Sequence, residues 1–331
     1  MHEQQFPPEL DRNLGLDLVR ATEAAALAAG TWMGFGEVAR PDRAARTAME
    51  ATLNTFPMDG VIAIGERPRT GHDNIPLPLQ RGTPVGTGSG AVVDVIADAA
   101  DGLNLLADGQ RGVMSVAAVA PRGMLWAPVG TNYMEKLIVN EEVAAALVPE
   151  CLDAPVGWTL ALIARAKGVP VRRLVIFVLD RPRHRPLVDE IRRSGARVEL
   201  RRDGDVAGAL QAAATGYIVD ALMGIGGVAE GVMAACAVKA LGGAIIGRLA
   251  PQSAAERRTL QEAGHDPDRI LTTNDIVPSD DFFFSATGIT DGALLHGLRF
   301  NRDRAITESL ILRGRTRTFR RIQSEHPAAS P

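Results

Sequence analysis

The chain has 331 residues and a formal net charge of −3, from 36 lysines and arginines against 39 aspartates and glutamates. Hydrophobic residues make up 46% and charged residues 23%, which excludes a disordered or collagen-like chain and supplies a sizeable core. The balanced charge and an aromatic content of only 4% argue against nucleic-acid and membrane-surface partners and against base-stacking platforms. Residues 1–13 are polar and acidic and read as a flexible leader with no signal peptide. Leu14, Leu18, Ala21, Ala25 and Ala28 recur at helical spacing and predict a helix over 14–33. Pro41 suits the first turn of a second helix running to Leu53, because an N–H missing there sacrifices no internal hydrogen bond. GVIAIGE predicts a buried strand ending at Glu66, and the Pro- and Gly-rich residues 67–90 a long loop or lid. AVVDVIAD reads as a strand ending at Asp98, and residues 113–120 as another.

The second half has a more regular rhythm. Helices are predicted at WTLALIARAKG, RHRPLVDEIRRSG, DVAGALQAAATG, GVMAACAVKALGG and PQSAAERRTLQEAG. Between them VRRLVIFVLD, ARVELRR, YIVDALMGIGG and GAIIGRL read as strands, which predicts an α/β layer with a mostly parallel sheet. The division expected is an α+β half over 14–150, carrying most of the candidate metal-site acids, an α/β half over 151–320, and a fraying tail over 321–331. Cys151 and Cys236 are far apart and form no CxxC pair, so buried thiols in a reducing, cytoplasmic compartment are expected. The longest apolar stretches fall well short of the ~20 residues a membrane helix needs.

Acids collect at predicted element ends. Glu66 and Asp98 close strands, Asp101 follows in DAADG, and Asp42 and Glu230 stand at helix starts. Grouped carboxylates without His or Cys suit Mg²⁺ or Mn²⁺, which take oxygen ligands and substrate phosphates. A helix-start acid also serves as a cap or dipole partner, and DxxDG as a plain turn. Arg181 and Arg183 follow a strand in RPRH, where α/β sheets place ligands, and two guanidinium groups at i, i+2 can fork onto a phosphate. The alternative is a solvated loop. Asp203 and Asp205 in DGD can accept from sugar hydroxyls or cap the helix beginning at Val206. His184 beside them reads as structural. GIGG at 224–227 lacks the full GxGxxG pattern, since Ala229 stands at the third glycine, so a nicotinamide cofactor is disfavoured. GTGSG at 86–90 lacks a following GKS or GKT and reads as a turn, with a phosphate nest the alternative.

TEAAALAAGTWMG, NTFPMDGVIAIGE, VGTGSG, NYMEKLIV, RPRH, DGDVA, GIGGVAEGV, FSATGIT and RGRTRTFRRIQS occur in an order and spacing that resemble the bacterial class II fructose-1,6-bisphosphatases over nearly the whole chain. The resemblance implies a layered α-β-α-β-α sugar-phosphatase fold, shared with inositol monophosphatases. It also implies Mg²⁺- or Mn²⁺-dependent removal of the 1-phosphate of fructose 1,6-bisphosphate, and a homodimer or homotetramer. By the same resemblance Asp42 matches an acid that helps orient the attacking water, and Glu66, Asp98, Asp101 and Glu230 match metal-site carboxylates. Tyr133, Arg181 and Arg183 match the group that holds the distal phosphate, and Asp203 and Asp205 the sugar-contacting pair.

The departures cluster on the water-activating side. Where the family pattern resembles DPIEGT this chain reads DAADGL, so Asp101 replaces a glutamate and Leu103 a threonine. Leucine cannot orient a water. GEGE becomes GERP, placing Arg67 and Pro68 beside Glu66; GRGD becomes GSGA; and a lysine becomes Arg181. The leading expectation is therefore a slow sugar-bisphosphate phosphatase or one of altered substrate. The alternatives are a pseudo-phosphatase that binds sugar phosphates, and an enzyme that isomerises or epimerises them in the same site.

Overall fold

In a computed structural model, residues 10, 13–65 and 78–327 are described. Their strands are β1 (Met58–Ile64), β2 (Pro84–Val85), β3 (Ala91–Asp101), β4 (Met114–Pro121), β5 (Tyr133–Val139), β6 (Val175–Leu179), β7 (Arg197–Arg201), β8 (Ala221–Gly227), β9 (Ala244–Leu249), β10 (Leu271–Thr272), β11 (Phe283–Gly288), β12 (Arg299–Phe300), β13 (Arg304–Arg313) and β14 (Thr318–Pro327). The helices are α1 (Leu14–Gly30), α2 (Ala39–Leu53), α3 (Leu103–Ala107), α4 (Glu141–Ala144), α5 (Val156–Lys167), α6 (Arg185–Arg193), α7 (Asp205–Ala213), α8 (Val228–Ala240), α9 (Ala254–Glu262) and α10 (Thr273–Ile276). One sheet runs β12-β13-β11-β4-β3-β1-β2, with β14 also on β13, and the second runs β10-β9-β5-β8-β6-β7.

Side-chain alternation along the strands builds the layers. On β4, Ala117 and Val119 join the core beneath α1 and α2, whereas Val116, Ala118 and Ala120 join the core around α7 and α8. On β5, Met134 and Ile138 face that same central core, and Leu137 and Val139 face a third core with α5 and α6. The order is thus helices, sheet, helices, sheet, helices, the α-β-α-β-α architecture expected. Helix α8 lies between the sheets and is buried except at Glu230 in its first turn and Lys239 in its last. A helix covered on both sides must be apolar all round. Its two charges sit at the termini that favour their signs.

The sheets do not divide at residue 150. Strand β5 belongs to the second sheet, and β11 to β14 return to the first. The insertion of β5 between β8 and β9, antiparallel to both, makes the second sheet mixed; only β6 pairs in parallel, with β7 and β8. Residues 321–327, expected as tail, pair within β14 along β13. The expected strand over 171–180 is shorter, because Val171–Arg173 form a single helical turn before β6. The expected leader lies outside the described residues apart from Leu10 and Asn13, as do residues 66–77 of the expected lid. Both cysteines are buried free thiols. Among the described residues no helix is long and apolar enough to cross a membrane.

Candidate active site

A cleft of about 600 Å³ opens where the two sheets meet. Asp101, Tyr133, Arg181, Arg183, Asp203, Asp205 and Glu230 all line it, together with Arg81, Asn104 and the loop segment 128–132. Seven of the candidate residues, scattered over 130 positions of sequence, therefore share one cavity of a size suited to a small ligand.

Two Asp-Gly turns form its floor. Strand β3 does not stop at Asp98 but continues to Asp101 through a bulge, where the pairing with β4 slips between Asp98 and Asp101. Asp98, 1% exposed, accepts the Ala100 N–H at 3.0 Å and so braces the bulge. The bulge carries Asp101 to the strand end, where Gly102 takes a left-handed φ of 103° and starts α3. After β7, Gly204 repeats the device with φ 88° and starts α7. L-residues with a side chain rarely adopt such φ values, so both glycines are conformational requirements. The turns hold each other. Asp101 Oδ2 accepts the Val206 N–H at 3.1 Å, and Asp203 Oδ2 accepts from Asn104 Nδ2 at 3.0 Å. Each acid is thus bonded to the residue three positions after the other.

The basic wall comes from the end of β6. Arg181 stands 3.6 Å from Asp203. Arg183 donates to the Ile225 carbonyl at 2.8 Å and stacks its guanidinium 5.1 Å from the Tyr133 ring centroid. Burial holds Arg183 below the usual arginine range, and the neighbouring Arg181 adds to the effect. His184 anchors the turn between them: one ring nitrogen lies 2.7 Å from the Leu179 carbonyl and Nε2 accepts the Ile225 N–H at 2.8 Å. That pattern fixes a neutral imidazole, and burial pushes its pKa below the ordinary histidine value. The structural reading of His184 holds.

One buried residue escaped the sequence reading. Lys136 on β5 is 1% exposed and donates to Asp205 Oδ2 at 2.5 Å. The available signal was a lysine on the same strand face as Met134 and Ile138, where an ammonium needs a buried partner. The glycines of GIGG serve this packing. A Cβ on Gly226 would collide with the Asp205 carboxylate and the Lys136 ammonium, and one on Gly227 with the Glu230 carboxylate. The GTGSG segment also turns inward: the N–H groups of Gly86, Thr87 and Gly88 donate to Asn54, Phe56 and Met58, so they form no phosphate nest. Arg81, likewise missed, donates to the Ala127 and Pro128 carbonyls at 2.6 Å and fastens the cleft-lining loop.

The water-activating candidates stand elsewhere. Asp42 lies in the first turn of α2, makes no cap, and accepts from the buried Arg46 at 2.7 Å; it is not among the cleft-lining residues. Leu103 is fully buried in the apolar core beneath α1 and α2. Glu66, Arg67 and Pro68 fall outside the described residues, though Gly65 lines the cleft. Among the described residues no three of His, Cys, Asp and Glu form a set able to hold a metal ion. What the cleft does offer a cation is the carboxylates of Asp101, Asp203, Asp205, Glu230 and Glu256, with no imidazole or thiolate, a donor chemistry that fits a hard divalent ion.

The family described as bacterial fructose-1,6-bisphosphatase, glpX-encoded, matches residues 12–326. The chain is 38% identical over 331 residues to a fructose-1,6-bisphosphatase class 2 of Haemophilus influenzae, covering 96% of this chain and 97% of that protein. It is 37% identical over 343 residues to a D-fructose 1,6-bisphosphatase class 2/sedoheptulose 1,7-bisphosphatase of Synechococcus sp. (strain JA-3-3Ab), covering 96% of each.

Proposed function

The chain belongs to the bacterial class II fructose-1,6-bisphosphatase family, and on that premise we propose that its cleft holds a sugar bisphosphate between an acidic, cation-binding end and a basic, phosphate-gripping end. It is accordingly a phosphoric monoester hydrolase acting on sugar bisphosphates. The supporting observation is that Asp101 and Glu230 line the same cavity as Tyr133, Arg181 and Arg183.

In this reading Asp101 and Glu230, joined by the family positions Glu66 and Asp98, hold Mg²⁺ or Mn²⁺. Such an ion, when bound, polarises the phosphoryl oxygens and lowers the pKa of a coordinated water. Arg183, pinned by Ile225 and Tyr133, presents a pre-oriented fork to the phosphate that is not cleaved. Asp203 and Asp205 meet the sugar hydroxyls, with Asp205 Oδ2 already engaged by Lys136. Holding both ends fixes the scissile phosphate against the acidic end, which converts binding energy into orientation. The same resemblance implies a homodimer or homotetramer, which light scattering on the eluting protein reads directly.

Leu103 favours a second reading, a binder with little or no turnover, because a leucine fully buried in an apolar core supplies no hydroxyl to a water. One experiment separates the two. Phosphate release is measured from fructose 1,6-bisphosphate and sedoheptulose 1,7-bisphosphate with Mg²⁺, with Mn²⁺ and with a chelator. Metal-dependent release of one phosphate per sugar is the expected result. Tight sugar-bisphosphate binding without release establishes the second reading.

A further inference from the structure

We infer that Lys136 is a positioning residue for sugar recognition: its buried ammonium, through Asp205, sets the first turn of α7 and with it the acids that face the sugar. The inference rests on the cleft being a sugar-bisphosphate site and adds a residue that never lines it.

Three observations carry it. First, the pair is enclosed. The Lys136 side chain is 1% exposed and that of Asp205 9%, their charged atoms are 2.5 Å apart, and Gly226 packs so closely that a Cβ there would strike both. A pair in so small a space has one geometry. Second, the partner stands at a leverage point. Asp205 is the first residue of α7, immediately after the left-handed Gly204, and Val206 directly behind it donates its N–H to Asp101. Moving Asp205 therefore moves the Asp203-Gly204 turn and the donor that holds Asp101. Third, Lys136 comes from a different place in the fold. It sits on β5, which pairs with β8 through Gly224 and Gly226, whereas Asp101 belongs to the first sheet. The ammonium thus ties the central strand of one sheet to the turn that braces the end of the other.

Removing one partner of such a pair leaves a buried charge, which must then protonate, reorient or admit water. Asp205 would do so beside the sugar position. The damage should fall on ligands that have a sugar and spare those that have only a phosphate.

The test compares wild type with Lys136→Met, and with Lys136→Gln as a shorter hydrogen-bond donor. Affinities for fructose 1,6-bisphosphate and for inorganic phosphate are measured by calorimetry with a chelator present, so that the sugar bisphosphate is not hydrolysed, alongside the melting temperature. Supporting groups behind a binding site are typically worth about 10–100-fold. Lys136→Met should weaken the sugar bisphosphate by that factor and inorganic phosphate by less than about threefold, with Lys136→Gln in between. A Lys136→Met protein that melts lower but keeps the wild-type ratio of the two affinities has lost only a structural pair, and overturns the inference. So does a failure of both variants to fold, which makes Lys136 an indispensable core group. Wild type that binds neither ligand instead overturns the reading of the cleft on which the inference rests.

Discussion

The two Asp-Gly turns at the cleft are built alike and held differently. Each ends a strand segment, passes through a left-handed glycine and begins a helix, and each acid bonds to the residue three positions after the other. Asp101 is buried and is held by a backbone N–H. Asp203 is more exposed and is held by two side chains, Asn104 and Arg181. A backbone donor persists through any substitution at Val206 except proline, so this hold on Asp101 is a property of the fold. The contacts of Asp203 can be altered one residue at a time. The arrangement keeps the acid proposed for chemistry invariant in place and leaves the acid proposed for sugar contact open to adjustment.

The largest effect should come from breaking the first turn chemically while keeping its brace. Asp101→Asn retains a carbonyl oxygen for the Val206 N–H but removes the charge. Melting temperature without metal should stay within a few degrees of wild type, while metal-dependent phosphate release falls on the order of 10²-fold or more. A variant with wild-type turnover would show that Asp101 is only a brace, and the contrast between the turns would collapse.

Next comes the wall behind the second turn. Arg183→Ala removes a guanidinium pinned against Tyr133 and Ile225. A charge-assisted hydrogen bond is worth about 1.5–3 kcal/mol, so KM for a sugar bisphosphate should rise about 10–100-fold. The fall in kcat should be smaller, because a grip remote from the scissile bond is largely uniform binding. Steady-state kinetics that place the loss in kcat instead would move Arg183 to the reacting end.

Leu103, two residues beyond Asp101, sharpens the first turn in another way. Its burial in the apolar core means that Leu103→Thr places a hydroxyl where leucine atoms packed. An unpartnered hydroxyl there costs about 1–3 kcal/mol, which melting should register. If turnover rises despite that cost, the hydroxyl has reached the water position and the chain is a phosphatase weakened at this residue. If melting falls and turnover does not rise, Leu103 is a packing residue.

How much of this was legible in the sequence follows the range of the interactions. Arg181, Arg183, Asp203, Asp205 and Glu230 were readable because a charge at a strand end or helix start is a local pattern, and all five line the cleft. The helices α5 to α9 were readable from their periodicity. The bulge at Asp98 was not, since the slip is created by pairing with β4, which the local sequence does not encode. Strand β5 was missed because Glu135 and Lys136 interrupt its apolar run; Lys136 is explained only by Asp205, 69 residues away. Strands β11 to β14 were missed because their place in the first sheet, β11 beside β4 and the others reaching it through β13, depends on a chain reversal across the whole molecule. Asp42 shows the converse. Its place at a helix start and its pairing with Arg46 are both local, because i, i+4 spacing brings an acid and an arginine together on a helix, yet neither carries it into the cleft.

The smallest effect belongs to the brace on the second turn. Asn104 lies exposed at the start of α3, and Asn104→Ala removes its 3.0 Å bond to Asp203 without touching the core. Water can replace the lost donor, so stability should change by less than about 1 kcal/mol. Arg181 remains beside Asp203 and keeps the acid near the cleft, but from one side only. Affinity for a sugar bisphosphate should therefore fall only about two- to fivefold, the equivalent of one ordinary hydrogen bond. Affinity for inorganic phosphate should not change, because Asn104 holds an acid and not an arginine. The converse pattern, a drop for inorganic phosphate equal to that for the sugar bisphosphate, would mean that releasing Asp203 lets it pair more closely with Arg181 and withdraw the guanidinium from the ligand. In that case the second turn regulates the basic wall, and its side-chain contacts tune phosphate binding before they tune sugar recognition.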